Sequence, residues 1–169
     1  MKTIPLTRGF FATVDDKDYW GLAIHRWQST IGNRGKVLPT RTANVDSKRT
    51  TVYMSREIMG ADVGKYVDHI NGDTLDNRRI NLRLCTNAEN LSNRGKPRNN
   101  TSGYKGVVYD KRRNKWYAYI GCESKGFRSK DFDSRKDAAQ AYDKLALEKH
   151  GDFAKLNFPL REGNLKGKS

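Results

Sequence analysis

The pattern of apolar and polar residues predicts two separate groups of short elements in this chain. In the first group, Tyr66–Ile70 alternates and is rich in β-formers, Asn71–Asp73 has turn chemistry, and Leu82–Cys85 is a second short β-rich run. A helix is predicted to follow Thr86, because Glu89 stands three residues later and completes a capping box. The middle of the chain is therefore predicted to fold as strand, loop, strand and helix.

The second group of elements follows residue 103. Three β-rich pieces lie at Lys105–Tyr109, Lys115–Gly121 and Gly126–Phe132. Three short strands this close together predict a small antiparallel sheet. Together with the first group, they place the chain in the α+β class.

A helix is predicted after this sheet, from Arg135 to about Lys149, with Asp133 or Ser134 as its N-cap. Its apolar side is rich in alanine, which suits close packing of the helix on the sheet. The residues that recur at helical spacing on that side are Ala138, Ala141, Tyr142 and Leu145.

A segment rich in Gly, Ser, Asn and basic residues, Ser92–Gly103, separates the two groups and lacks apolar periodicity. We interpret it as a linker. It is either a simple tether or a segment that crosses DNA with Arg94, Lys96 and Arg98 along the phosphate backbone. The predicted organisation is a domain at 1–91 with its core at about 66–93, the linker at 92–103, a second domain at 104–160, and a basic tail at 161–169.

Charge points to a polyanionic partner. The 33 Lys and Arg residues exceed the 19 Asp and Glu residues, which gives a formal net charge of +14. Residues 1–91 hold 14 basic and 10 acidic residues, whereas residues 92–169 hold 19 and 9, so most of the electrostatic attraction is expected from the C-terminal half. Basicity alone also fits a ribosomal or other RNA-binding protein.

Candidate chemistry is concentrated around Asp68 and His69, which are followed within 23 residues by the spaced amides Asn77, Asn81 and Asn90. Hydrolysis of a phosphodiester needs an activated water and neutralisation of the phosphate charge. A histidine near its ordinary pKa can accept the proton of the water, and His69 is the candidate general base. The pattern therefore indicates a nuclease site.

This stretch resembles the ββα-metal motif of HNH endonucleases, in particular phage and intron-encoded homing endonucleases with Asn as the third motif residue. The resemblance rests on Val67–Asp73, Asn81–Arg83 and Asn90, and extends to Ile4–Gly9 and Val52–Gly60. Within Val52–Gly60, Ser55 replaces a residue that is commonly His.

The resemblance implies roles for the motif residues. Asp68 and Asn90 correspond to the metal ligands, and their oxygen donors favour Mg²⁺ or Mn²⁺. Asn81 corresponds to the residue that fixes the loop and helps to orient His69. The two thiols, Cys85 and Cys122, support neither a zinc site nor a disulfide framework.

Three arginines near this motif have two interpretations. They can be solvated surface charges, or they can clamp DNA phosphates beside the site, and the phosphate interpretation is favoured next to a DNA-cutting centre. These residues are Arg78, Arg79 and Arg83.

The C-terminal half resembles the AP2 DNA-binding domain. The resemblance is carried by Gly103–Val107, Lys115–Trp116, Phe132, Ala138–Asp143, Gly151 and Asn157–Pro159. It implies a three-stranded sheet in the major groove, with alternate residues of the outer face meeting DNA. Alternation with Tyr117 favours a place in the core for Trp116 over a contact with a base. The contacts expected by position are Lys105, Arg112, Arg113, Tyr117, Tyr119, Arg128 and Lys130. Val108 and Asp110 stand near positions where AP2 domains often carry Arg, so the base preference is not transferable.

The function predicted from these features is a site-specific DNA endonuclease, a nicking homing endonuclease of a phage or mobile element that acts on duplex DNA. A monomer is expected to nick, and a double-strand break is expected to need a dimer or two visits. The alternatives are a regulator that kept the fold and lost catalysis, and a structural RNA-binding protein. No long apolar run begins the chain, so we expect an intracellular protein without a membrane span.

Overall fold

The structure is a computed structural model that describes residues 1–32, 35–45, 47–122 and 125–159. The chain divides into two compact units, Met1–Asn90 and Leu91–Ser169. Residue 160, at the end of the expected second domain, and the basic tail at 161–169 lie outside the described residues. Both units combine small antiparallel sheets with a few helices, so the expected α+β class is confirmed. In the described stretches, no helix is long and apolar enough to cross a membrane.

Three small antiparallel sheets make up the described strands of the N-terminal unit. They pair β1 (Lys2–Pro5) with β2 (Phe11–Val14), β3 (Gln28–Ile31) with β4 (Val37–Val45) and β5 (Lys48–Tyr53), and β6 (Tyr66–His69) with β7 (Leu82–Cys85). The helices are α1 (Asp16–Ala23), α2 (Met54–Met59) and α3 (Asn87–Ser92), the last of which crosses the boundary between the units.

One apolar core connects these elements. Trp27 is 2% exposed and its indole N–H donates to the carbonyl of Leu22 at 2.9 Å, which satisfies the polar atom of a buried aromatic ring. Ile4 from β1, Met54 from α2 and Leu82 from β7 belong to the same cluster. The strand that follows the motif loop is thus anchored in the core shared with the N-terminal elements.

The approach to β6 is set by the end of α2. Gly60 takes a left-handed conformation (φ 57°) and closes the helix with backbone hydrogen bonds to Arg56 and Glu57. The guanidinium of Arg56 then donates to the carbonyl groups of Ala61, Asp62 and Lys65. One side chain therefore organises the whole turn that leads into β6.

The C-terminal unit has one described sheet with the order β8–β9–β10, formed by β8 (Val107–Asp110), β9 (Lys115–Cys122) and β10 (Lys125–Arg128). Helix α4 (Arg135–His150) packs on one face of this sheet. Ala138, Ala139 and Ala146 are fully buried at the contact, as the alanine-rich side predicted. Trp116 packs in this core, as the alternation along its strand predicted.

Two local features fix α4 and the segment after it. Ser134 is the N-cap, and its hydroxyl accepts from the Lys136 N–H at 3.1 Å. The Asp143 carboxylate accepts from the backbone N–H groups of Asn157 and Phe158, both at 2.8 Å. The carboxylate thus fastens the end of the described chain to the helix.

The last strand is shorter than the predicted Gly126–Phe132 because a bulge interrupts it. The Ser129 N–H donates to the Ala118 carbonyl at 2.9 Å, and the Ser129 hydroxyl accepts from the Ala118 N–H at 2.8 Å. Phe132 then exchanges backbone hydrogen bonds with Trp116. Two residues, 130 and 131, therefore stand opposite the single residue Tyr117. The extra residue lets Phe132 return to the core side.

Candidate active site and nucleic-acid interface

The candidate site begins at the β6–β7 ladder. Asp68 is paired with Arg83 and His69 with Leu82, so Asp68 and Arg83 extend from the same face of the two strands. The Asp68 side chain is 7% exposed, and its Oδ2 accepts from Arg83 Nε at 2.9 Å and Nη2 at 2.7 Å. The carboxylate expected to bind a metal ion is thus already neutralised by a guanidinium.

His69 occupies the last position of β6, where the strand meets the loop. Its Nε2 lies 3.4 Å from Oδ1 of Asn77, a residue that is fully buried. The Asn77 amide nitrogen donates to the carbonyl of Thr74 at 3.0 Å, so the amide presents its oxygen to the imidazole. In this arrangement Nε2 carries the proton, and Nδ1 is the basic nitrogen of the neutral ring.

Burial lowers the pKa of His69 below its ordinary value of 6.5. The contact with Asn77 and the charge of Asp68 oppose this effect, whereas the nearby ammonium of Lys36 adds to it. The net result is a pKa below 6.5, which keeps the imidazole neutral at pH 7. A neutral imidazole is the form that accepts a proton.

The loop between the two strands is fixed by buried amides. Asn81 is 6% exposed; its Oδ1 accepts from the Asn71 N–H at 3.0 Å and its Nδ2 donates to the Asp76 carbonyl at 2.8 Å. Its backbone carbonyl accepts from the Ile70 N–H, directly after His69. Asn81 therefore connects both sides of the loop through its side chain and its backbone.

Elements far away in sequence also hold this loop. The N–H of Thr13 in β2 donates to the Leu75 carbonyl, and the Thr13 carbonyl accepts from the Asn77 N–H, both at 2.8 Å. Lys36, just before β4, donates through its ammonium to the carbonyl of Gly72 at 2.9 Å. The N-terminal strands thus position the loop that carries the candidate chemistry.

The two arginines expected to clamp phosphates beside this loop have carboxylate partners. Arg78 donates to both oxygens of Asp76 at 2.7 and 2.6 Å, and Arg79 donates to both oxygens of Asp18 at 2.9 and 2.8 Å. The Arg79 backbone N–H also donates to Asp15. Like Arg83, they form ion pairs within the protein, and their contact with DNA phosphates stays a prediction.

Helix α3 supplies the third motif residue, Asn90. The predicted capping box is confirmed: Glu89 accepts from the N–H of Thr86 at 2.7 Å and its own N–H donates to the Thr86 hydroxyl at 3.3 Å. Asn90 is half-buried and lies on the turn that this box begins. The box fixes the start of the helix and hence the place of Asn90 after β7.

The donor chemistry of Asp68 and Asn90 fits a hard divalent cation. A carboxylate and an amide oxygen are ligands that Mg²⁺ and Mn²⁺ accept, with waters and a phosphate completing the shell. In the part of the chain that the structure describes, no three His, Cys, Asp or Glu residues cluster in a way that suits a metal ion. Such a cation therefore needs the amide and the nucleic acid as additional ligands.

The sheet of the C-terminal unit presents an outer face opposite α4. Along β9, Ala118 and Ile120 are buried, and Tyr117 and Tyr119 point outward. Tyr119 lies flat across Gly126, where a Cβ atom would be 2.3 Å from the Tyr119 hydroxyl. The remaining expected contacts are exposed on β10, in the bulge or in the β8–β9 turn, at Arg112, Arg113, Arg128 and Lys130.

Comparison with known proteins identifies both units. The family model described as HNH endonuclease matches residues 60–92, and the model described as AP2 domain matches residues 102–152. Protein 3.8 of Escherichia phage T7 is 37% identical over 93 residues, which cover 55% of this chain and 76% of that protein. This chain belongs to the HNH endonuclease family and carries an AP2 domain. The HNH match supports a nuclease, and both matches support DNA as its partner.

A second viral relative agrees with this assignment. The protein named Uncharacterized HNH endonuclease L560, from Acanthamoeba polyphaga mimivirus, is 34% identical over 92 residues. The alignment covers 54% of this chain and 46% of that protein. The comparison with solved structures gave no significant match.

Lys105 of the AP2 domain does not join the outer face as the sequence interpretation expected. Its ammonium donates to the Ser92 carbonyl at 2.6 Å and lies 5.9 Å from the ring centre of Tyr142, on the helix side of the sheet. Burial lowers its pKa to about 8. The expected DNA contact is thus a packed side chain. In the linker, Lys96 donates to the Gly103 carbonyl, and the other two basic residues, Arg94 and Arg98, are exposed.

Sequence reasoning missed several residues of the HNH site. Lys36 and Thr13 hold the loop from a distance of more than 30 positions, and Asp18 binds Arg79 over 61 positions. No periodicity or spacing in the sequence marks these contacts. The one available indication was the resemblance of the N-terminal segment to the same family.

Proposed function

We propose that this protein is a site-specific DNA endonuclease in which the HNH domain nicks one strand and the AP2 domain selects the site. The observation that carries the proposal is the place and state of His69, a neutral imidazole at the end of β6 whose Nε2 lies 3.4 Å from Oδ1 of the buried Asn77. A general base poised in this way contributes about 10² to 10⁴-fold to a rate. The similarity to a phage protein supports a homing enzyme of phage or mobile-element type.

His69 takes the proton of the attacking water in this proposal. Asn77 keeps the tautomer, and Asn81 holds the chain on both sides of the loop so that the imidazole keeps its direction. Asn81 is a positioning residue, because both polar atoms of its side-chain amide form hydrogen bonds with backbone groups of the loop. It does not need to contact the phosphate.

Asp68 and Asn90 would hold Mg²⁺ or Mn²⁺. When bound, this ion would neutralise charge on the phosphate and stabilise the departing 3′ oxygen. Arg83 neutralises Asp68 in the protein alone, and it would share that carboxylate with the ion or turn toward the phosphate. A single site of this kind addresses one strand at a time, so a nick by a monomer is the expected product, and a double-strand break would need two chains or two visits by one chain.

The ion pair between Arg83 and Asp68 favours one alternative. A guanidinium that permanently occupied the ligand carboxylate would leave a DNA-binding regulator with the HNH fold and no catalysis. In that case duplex binding would persist and no nick would form at any concentration of divalent metal.

A nicking assay separates these functions. Supercoiled plasmid and phage DNA are incubated with Mg²⁺ or Mn²⁺ and with the wild type, His69→Ala or Asp68→Ala, and duplex binding is measured in parallel in EDTA. The proposal expects metal-dependent open circles with the wild type, their loss in both variants, and unchanged binding. Cleavage retained in Asp68→Ala would refute the metal assignment. Binding without cleavage by all three proteins would favour the regulator, and preference for RNA over duplex DNA in matched salt would refute DNA as the partner.

A further inference from the structure

Asp131 joins two arginines on the outer face of the AP2 sheet. Its Oδ1 accepts from Arg128 Nη2 at 2.5 Å, and its Oδ2 accepts from Arg113 Nη1 at 3.0 Å. Asp110, in the β8–β9 turn, lies 3.8 Å from Arg113 Nε. These four side chains, which we call the arginine pair network, carry two positive and two negative charges.

The bulge in the third strand brings Asp131 to this face. Arg128 points outward and Phe127 inward, so a regular strand would turn residue 131 toward the core side. The extra residue opposite Tyr117 shifts the alternation, so Asp131 reaches the arginines and Phe132 packs in the core. The carboxylate is therefore placed by a specific irregularity of the backbone.

Arg128 is held from a second direction. Its guanidinium carbon lies 4.0 Å from the ring centre of Tyr117, and the plane of the ring restrains the side chain while Asp131 binds one edge. A guanidinium carries five N–H donors, so the carboxylate occupies only part of each arginine. Both arginines keep donors that can bind another acceptor while they stay in the network.

A neutral network is poorly suited to nonspecific phosphate contact. Nonspecific affinity depends on how many DNA phosphates the protein neutralises and hence on how many counterions are released. Two arginines whose charge is balanced by Asp131 and Asp110 neutralise a phosphate only weakly. Guanine presents two acceptors in the major groove that match a fixed guanidinium, and this contact depends on direction more than on net charge. The geometry thus favours base contact by the two arginines.

We propose that Asp131 is a specificity-determining residue that holds Arg113 and Arg128 in position to bind guanine edges in the major groove. The inference rests on the proposed function, because it assumes that the AP2 domain selects the cleavage site. It goes beyond that function by naming Asp131 as the residue that holds both arginines in the orientation for base contact.

The test compares the full chain with Asp131→Asn and Asp133→Asn. Asp133 is a matched control, because it lies two residues away, pairs with Lys115 and is mostly exposed, and its replacement changes the net charge by the same amount. Each protein selects duplexes from a randomised DNA library in EDTA, which prevents cleavage, and the selected sequences and the salt dependence of binding are measured. Circular dichroism checks that all three remain folded.

The expected wild-type result is enrichment of guanine at one or two positions. Asp131→Asn should lower the preference for the selected site over random duplex about tenfold, and should steepen the salt dependence because the released arginines bind phosphates. Asp133→Asn should keep the guanine preference. An unchanged motif in Asp131→Asn, or a wild-type motif without guanine, would overturn the inference and leave the nuclease proposal standing. A wild type that does not bind duplex DNA would refute the proposed function itself.

Discussion

Replacing Asn81 with Ala tests whether its amide holds the active-site loop. The substitution removes two hydrogen bonds, at 3.0 Å from Asn71 N–H and at 2.8 Å to the Asp76 carbonyl, in a residue that is 6% exposed. Leaving a buried backbone donor or acceptor unsatisfied costs about 1 to 3 kcal/mol for each group. Water that enters the truncated site will recover part of this loss. We therefore expect a loss of about 2 to 4 kcal/mol in the free energy of unfolding of the HNH domain.

The assay is denaturant unfolding followed by tryptophan fluorescence in a Trp116→Phe background. That background removes the tryptophan of the AP2 domain and leaves two in the N-terminal unit, exposed Trp20 and buried Trp27, of which Trp27 reports on the HNH core. Asn81→Asp keeps the acceptor for Asn71 and loses the donor to Asp76, so it separates the two contacts. Asn99→Ala, at an exposed linker position, is the control and should change stability by less than about 0.5 kcal/mol.

Cleavage is measured on the same proteins. If Asn81 positions His69, Asn81→Ala lowers the nicking rate even in buffer without denaturant, where the domain is fully folded. Duplex binding is kept. A change in unfolding free energy no larger than that of the control would refute the argument that these two hydrogen bonds fix the loop. A normal nicking rate in a destabilised protein would limit Asn81 to stability.

Three further predictions concern His69, Gly106 and Lys105. Because burial lowers the pKa of His69, the acid limb of the single-turnover nicking rate should have its midpoint below pH 6.5; a midpoint above pH 6.5 would contradict this. Gly106→Ala places a Cβ atom 2.0 Å from the Tyr142 ring at φ +68°, so calorimetry should show the AP2 domain destabilised by about 2 to 4 kcal/mol. Lys105 has its pKa lowered to about 8, so the unfolded chain binds more protons between pH 8 and about 10.4, and AP2 stability should rise with pH across that window by up to about 3 kcal/mol. Lys105→Met should remove this rise in denaturant titrations.

Local features of the fold were predictable because their causes lie within a few residues. The strand, loop, strand and helix of the HNH motif follow from alternation, turn residues and the Thr86 capping box, and the structure has each of them. The same is true of α4, whose alanine-rich side is buried and whose N-cap is Ser134. Each of these depends on the spacing between neighbours along the chain.

Charged residues were harder to interpret from sequence. For the arginines beside the nuclease motif, the sequence analysis weighed solvated charges against phosphate contacts, whereas Arg78, Arg79 and Arg83 all pair with carboxylates in the structure. Sequence spacing does not reveal that Asp18 lies beside Arg79. Lys105 was expected on the DNA face because of its position in the AP2 resemblance. In the structure its ammonium lies over the ring of Tyr142.

The amino-acid sequence by itself determined the kind of protein: a basic two-part chain with an HNH motif, an AP2-like sheet and helix, and His69 as the candidate base. Only the tertiary structure decided the protonation state of His69, the contacts that hold its loop and the ion pairs of the arginines. The depressed pKa of His69 arises from burial, the loop is held by Lys36 and Thr13 from distant strands, and Asp131 reaches Arg113 through a bulge. Periodicity and capping act over a few positions, whereas burial and ion pairing depend on which distant segments pack together.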